Sequence, residues 1–291
     1  MAALDAAAEI PLGGELPTRR RRGFGPVFWL AIAWIALVVA AALLAGVLPL
    51  ADPDHQALLA RRAAPSAAHL LGNDALGRDI LARVIFGARA SLEIGVLAPL
   101  IASLIGAAIG ALSGYFRGWF ETFAIGATDV LLAFPPLVLA LAIVAYLGQS
   151  VINVILVLAT LTVPAVTRVA RAATLAVRER EFVTAARALG ASHLRILLRE
   201  ILPNILPPLA AYFLVLVAVT IVAEGILSFL GLGVPPPQPS WGSMIADGRD
   251  SLDVAPHIAF IPAMAMFLTV LAFNLVGDGL RALTDPRRGA P

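Results

Sequence analysis

No cysteine and no lysine occur in the 291 residues, and only 14% of them are charged. Without cysteine there is no disulfide, no thiolate nucleophile and no sulfur ligand for a metal. Without lysine there is no Schiff-base amine and no phosphate-gripping lysine of a Walker A loop, so the chain binds no nucleotide by that route. Soluble domains average about a quarter charged residues. The shortfall is matched by 60% apolar residues and a mean hydropathy of +0.90, which place the chain among polytopic membrane proteins. All 21 basic residues are arginine, yet the net charge is only +2, so the basic pI gives no ground for nucleic-acid binding. His55, His69, His193 and His257 lie in loops or at the ends of apolar runs. Neither H-E-x-x-H nor G-x-S-x-G occurs, which argues against an embedded hydrolase.

What is present is a series of apolar runs. Residues 1–26 form a polar tail with Arg19–Arg22 just before the first run, the positive flank that keeps an N-terminus in the cytoplasm. Val27–Leu50, 24 residues or about 36 Å as a helix, is long enough to span and, unlike a signal peptide, to stay. A mixed external segment, 51–90, carries five arginines, and in it Gly72-Asn73-Asp74 reads as a turn and helix cap. The remaining spans are Ser91–Gly114, Thr122–Leu147, Val151–Val166, Leu206–Leu230 and His257–Leu280. Gly106, Gly110 and Gly114 make a small-residue ridge on the second. Pro135 and Pro136 bend or interrupt the third, so they belong beside protein or a cavity. Six spans put both termini inside, with Gly231–Ala255 outside and Thr284–Pro291 a short internal tail. Of the 21 arginines, 15 then fall on cytoplasmic segments, in line with the positive-inside rule.

Among intramembrane acids, Asp129 lies nearer the bilayer centre and is the better candidate for burial. Glu224, near the outer end of span five, either faces the bundle interior or is an interfacial carboxylate. Asp278 and Arg281 stand at i, i+3 and can pair. Trp29, Trp34, Trp119 and Trp241 read as interfacial anchors.

One charged island between spans, Glu179–Pro208, does not read as a loop. Phe182, Ala185, Ala186 and Leu189 fall at i, i+3, i+4, i+7, and Leu194, Leu197, Leu198 and Ile201 repeat the pattern. The spacing predicts two short amphipathic helices, with Gly190 at the break, Ser192 capping the second and Pro203 stopping it. Periodicity alone leaves two partners open, the lipid headgroups or another protein.

The residues Thr184, Ala185, Ala186, Gly190, Leu202 and Pro203 stand in T-A-A-x3-G-x9-E-I-L-P, which resembles the E-A-A-x3-G-x9-I-x-L-P loop of importer-type ABC permeases. Thr184 replaces the usual Glu, and Glu200 the usual Ile. His69–Leu92 (HLLGNDALGRDILARVIFGARASL), Asp129–Pro135 (DVLLAFP), Glu224–Gly233 (EGILSFLGLG) and Asn274–Arg281 with Asp285-Pro286-Arg287 resemble further segments of one branch, in the same order. That branch is the C-type subunit of dipeptide, oligopeptide and nickel ABC importers.

The resemblance implies an all-α membrane protein with six transmembrane helices, in which a five-helix core, 91–283, carries a coupling loop at 179–203. The implied function is permease subunit of an ATP-driven importer of peptides or related small solutes in the bacterial inner membrane. The implied partners are a second, B-type permease, two cytoplasmic ABC ATPases and an extracytoplasmic solute-binding protein. The chain itself would hold no cofactor and catalyse nothing, with ATP and Mg on the ATPases. Phe182, Thr184, Ala185, Ala186, Leu189, Gly190, Leu202 and Pro203 become the coupling residues, and Asp129, Pro135, Pro136 and Glu224 candidates for the translocation path. The alternative is a stand-alone ion-coupled secondary transporter, which needs midplane carboxylates and an internal repeat. Only Asp129 and the broken third span support it.

Overall fold

Runs dominated by Ala, Leu, Val and Ile, with few breakers, give helices nearly throughout. The computed structural model describes residues 25–284; the tail bearing Arg19–Arg22 and the Asp285-Pro286-Arg287 motif lie outside them. Nine helices carry the function here: α1 Pro26–Leu44, α2 Ile80–Phe116, α3 Gly118–Leu132, α4 Pro136–Leu147, α5 Val151–Arg178, α6 Glu181–Ala188, α7 His193–Phe229, α8 Trp241–Gly248 and α9 His257–Thr284. Five of them are long and apolar enough to cross a membrane. The bent pair α3–α4 makes a sixth span if counted as one, with 82° between its halves. Pro135 sits at that break as the residue before α4, and Pro136 opens α4, where a missing N–H costs nothing. Both prolines are exposed.

Several helices outrun their apolar composition. The second begins at Ile80, not Ser91, and its 37 residues reach about 55 Å, well beyond the ~30 Å hydrocarbon core. Its extra turns carry Arg83, which looks like a loop residue in sequence. The Arg83 guanidinium is in fact buried, donating to the Pro53 carbonyl at 2.9 Å and reaching Asp54 at 3.3 Å and Asp74 at 3.7 Å. Gly72-Asn73-Asp74 is a turn, in which Asp74 accepts from the amides of Leu76 and Arg78. The helix cap, however, is Asp79, which accepts from the Ala82 amide at 2.8 Å.

Span four likewise continues past Val166 to Arg178. Pro203 does not stop the second loop helix either. α7 runs from His193 to Phe229 through a wide π-type turn at Ile196–Ile201. Proline has no N–H to give, and the ladder changes pitch just before it without breaking.

Close packing of α2 on α5 forms the spine. The glycine ridge makes it possible: a Cβ at Gly110 would lie 2.4 Å from the Thr167 carbonyl oxygen, and one at Gly114 2.9 Å from that of Arg171. α1 and α9 pack on the same bundle, and Trp34 donates to the Thr269 hydroxyl at 3.1 Å. At one end, residues 51–79 and α8 close over the bundle around Ile80, Met244, Ala255 and Ile258. At the other, Tyr115, Val183, Ile196 and Ile201 form the core under α6. Trp29 and Trp119 are exposed, as anchors should be, but Trp241 is not an anchor. It is buried, and its indole N–H donates to the Val84 carbonyl at 3.0 Å. Asp278 and Arg281 approach to 3.9 Å.

Candidate functional site

The turn joining α5 to α7 is built from local rules. Glu181 in the first turn of α6 and Arg187 in the last complement the helix dipole. Past Ala188 the chain closes as a Schellman motif. Gly190 takes φ +79°, its amide reaches the Arg187 carbonyl at 3.0 Å, and the Ala191 amide reaches that of Ala186 at 3.1 Å. Nothing lies within 4 Å of a Cβ placed on Gly190. The left-handed backbone, rather than crowding, therefore calls for glycine. Ser192 then caps α7 by accepting from the Arg195 amide at 3.3 Å.

Two faces result. Val183, Ile196 and Ile201 are fully buried, with Ala186 and Leu202 partly buried beside them. The Tyr115 hydroxyl and His193 Nδ1, 2.8 Å apart, tie the end of α2 to the turn. On the open side Phe182 is 42% exposed and Leu189 89% exposed, with Thr184, Ala185, Gly190 and Pro203 also exposed. The expected apolar stripe is therefore split. Ala186 leans onto the bundle, and Val183, absent from the heptad-like pattern, anchors the turn. A three-residue difference between Val183 and Ala186 was the available signal; the pattern could not say which of two overlapping stripes faces inward.

Of the two acids it is Glu224 that faces the bundle interior, one of the two positions its sequence left open, and not Asp129. Asp129 is not buried; its side chain is 51% exposed and lies 2.6 Å from Arg168 Nη2 on α5. Arg171, one turn on, pairs with Glu121 through Nε at 2.6 Å. Glu224 is fully buried and reaches no surface. It accepts from the Ser228 hydroxyl at 2.6 Å and the Ser91 hydroxyl at 3.3 Å. Ser91 in turn accepts from the Trp241 amide at 3.1 Å, and Ser240 lies 3.3 Å from Ser228. This cluster fastens α2, α7 and the start of α8 together. Glu224 and Ser228 stand at i, i+4, a spacing that signals their contact. Ser91 and Ser240 carry no such mark. Among the described residues no group of three or more His, Asp and Glu is placed to hold a metal.

Residues 106–289 match the family model described as binding-protein-dependent transport system inner membrane component. The chain belongs to that family. Among similar proteins is the glutathione transport system permease protein GsiD of Escherichia coli O1:K1 / APEC, 46% identical over 223 residues, which are 77% of this permease and 74% of that protein. The GsiD of Shigella flexneri serotype 5b (strain 8401) is 48% identical over the same lengths. Solved structures share the fold at low identity. An inward-facing MetNI methionine ABC transporter aligns with TM-score 0.60 and 17% identity, over 71% of this permease and 98% of that chain. An amino acid ABC transporter aligns with TM-score 0.51 and 21% identity, over 72% and 94%. The permease is thus an all-α, multi-pass inner-membrane subunit of an ABC importer of the peptide and nickel type. Such subunits work with a partner permease, an ATPase and a binding protein.

Proposed function

We propose that the turn 179–203 couples this permease to two cytoplasmic ATPase subunits, which hold the ATP and Mg. The observation that carries the reading is the two-faced turn: Phe182 and Leu189 open to a partner, and Val183, Ile196 and Ile201 locked into the bundle. A push on Phe182 and Leu189 reaches α5 and α7 directly, since both leave the turn. ATP closes the ATPase pair, the turn moves with it, and the bundle reverses its opening. Thr184, Ala185, Gly190 and Pro203 complete the docking side, and Ala186 and Leu202 the supporting side. The second permease is of the B type, and a solute-binding protein delivers the cargo at the opposite face. The solute is a small peptide or related compound, in keeping with the glutathione named for the similar permeases.

Gly190→Val is expected to leave a membrane-inserted permease with about tenfold less transport, through backbone strain of about 1–3 kcal/mol at the turn. Gly190→Asn, which tolerates φ > 0, should restore most of it. Leu189→Arg should block docking without disturbing the turn, because Leu189 touches little of its own chain. Transport in vesicles and pull-down of the ATPase measure both. Normal transport by Gly190→Val and Leu189→Arg together would remove the coupling role.

Asp129 with Arg168, and Pro135 and Pro136 at the broken span, are our candidates for the path or the partner interface. Charge on a span is costly against lipid, and this pair is half exposed in the single chain. For Glu224, buried among hydroxyls, we favour a role in the frame of the bundle over the path.

Both termini are assigned to the cytoplasm. The five arginines of the external segment fit this better than their number suggests. Arg78 pairs with Asp74 at 2.6 Å and with Asp247 at 3.4 Å, Arg83 is held as above, and Arg61 donates to the Ala75 carbonyl at 2.8 Å. A single cysteine replacing Asp250, 81% exposed at the side chain, is expected to react with an impermeant thiol reagent only from outside. Reaction only from the cytoplasm would invert the topology.

A further inference from the structure

A groove of about 800 Å³ runs between α2 and α7. Leu104, Ala108 and Leu112 line one wall, and Leu202, Leu206 and Ala210 the other. Its lining offers one hydroxyl, Ser103, and no charged group, so a peptide would lose its hydrogen bonds to water there without replacement. Along α2 the groove extends from Leu100 to Leu112, about 18 Å by helical rise. That is close to the depth of one leaflet of a ~30 Å hydrocarbon core. An apolar lining of this depth suits a hydrocarbon chain.

At the coupling-turn end the groove adjoins a second depression through their shared residue Leu198. Arg195 and Arg199 border that depression, one turn apart on α7. Neither forms a salt bridge among the described residues, in contrast to Arg78, Arg83, Arg168 and Arg171. An unpaired cation pair at the mouth of an apolar slot of leaflet depth is complementary to an anionic amphiphile. We propose that the α2–α7 groove holds an acyl chain of an anionic phospholipid, with its phosphate on Arg195 and Arg199. Bound there, the lipid lies against α7 beside the turn that the ATPase moves.

The assembled importer, purified from membranes containing phosphatidylglycerol, tests this by lipid extraction and native mass spectrometry. Retained phosphatidylglycerol is expected to fall roughly fivefold on Arg195→Gln and again on adding Arg199→Gln, given the usual contribution of one arginine near an anionic surface. Ala210→Trp, which fills the slot and leaves both arginines, should lower retention as much. Phosphatidylcholine, whose phosphate is offset by its own ammonium, should respond to the tryptophan but less than phosphatidylglycerol to the arginine changes. Two results would overturn the proposal. One is phosphatidylglycerol retention unchanged in both arginine variants or in Ala210→Trp. The other is a cysteine at Leu104 cross-linking to the partner permease while escaping a lipid-confined probe. The elution profile of each complex shows whether it has assembled, and a cysteine at Leu104 reports on the groove even where Ala210→Trp does not assemble.

Discussion

Gly110→Val is expected to leave little permease in the membrane, the largest loss of any single change considered. A Cβ at this position would stand 2.4 Å from the Thr167 carbonyl oxygen, 2.7 Å from Ala170 Cβ and 2.9 Å from the Arg171 amide nitrogen. Two of the three obstacles are backbone, so no rotamer change relieves them, and α2 must move off α5. Overpacking a core ordinarily costs about 1–3 kcal/mol. Here the shift also loosens Gly106 and Gly114, which approach the same helix, so the cost belongs at or above the top of that range. Against lipid there is no hydrophobic gain to hold the helices together, and close backbone approach supplies the attraction. Gly126→Val on α3 is the control, since nothing lies within 4 Å of its Cβ. Membrane levels and thermal unfolding in detergent should separate the two variants. Equal stability would mean that the ridge does not set the α2–α5 spacing.

Glu224→Ala is expected to lower the thermal stability of the detergent-solubilised permease through the opposite end of the bundle. The change leaves the hydroxyls of Ser91 and Ser228 buried without their acceptor and opens a cavity where a fully buried side chain had been. Large-to-small substitution in a core and a stranded polar group each cost a few kcal/mol, together about 2–5 kcal/mol. The loss should appear first where α8 meets the spans. The Trp241 amide depends on Ser91, and a Cβ on Gly242 would already lie 2.6 Å from Gly225 Cα. Glu224→Gln keeps one acceptor oxygen and nearly the same volume, so it should retain most of the stability. Thermal unfolding measures the order wild type, Gln, Ala. A cysteine at Asp250 tells whether the α8 end has loosened, by faster labelling. An alanine variant as stable as wild type would show that the cluster holds nothing.

The sequence determined by itself whatever depends on composition and on neighbours within a helical turn or two. The membrane class followed from scarce charge, and the broken third span from Pro135 and Pro136. The Gly190–Ser192 punctuation of the turn followed from residues that need φ > 0 or supply a cap. Family motifs added the importer role because they are runs of adjacent residues. Partnerships between distant residues were decided only in the folded chain. Asp129 looked buried because its neighbours are apolar, but Arg168, 39 positions away, meets it at an open surface. Arg83 looked like a loop residue until Asp54, Asp74 and the Pro53 carbonyl surrounded it, and that is why α2 starts eleven residues before its apolar stretch. Trp241 looked like an anchor until the Val84 carbonyl, 157 positions away, claimed its N–H. The choice between Val183 and the Phe182–Leu189 stripe was likewise tertiary, because both satisfy the helical period and only the position of α6 on the bundle selects one. A polar side chain's cost in a membrane is set by the partners it finds, and those partners come from other helices.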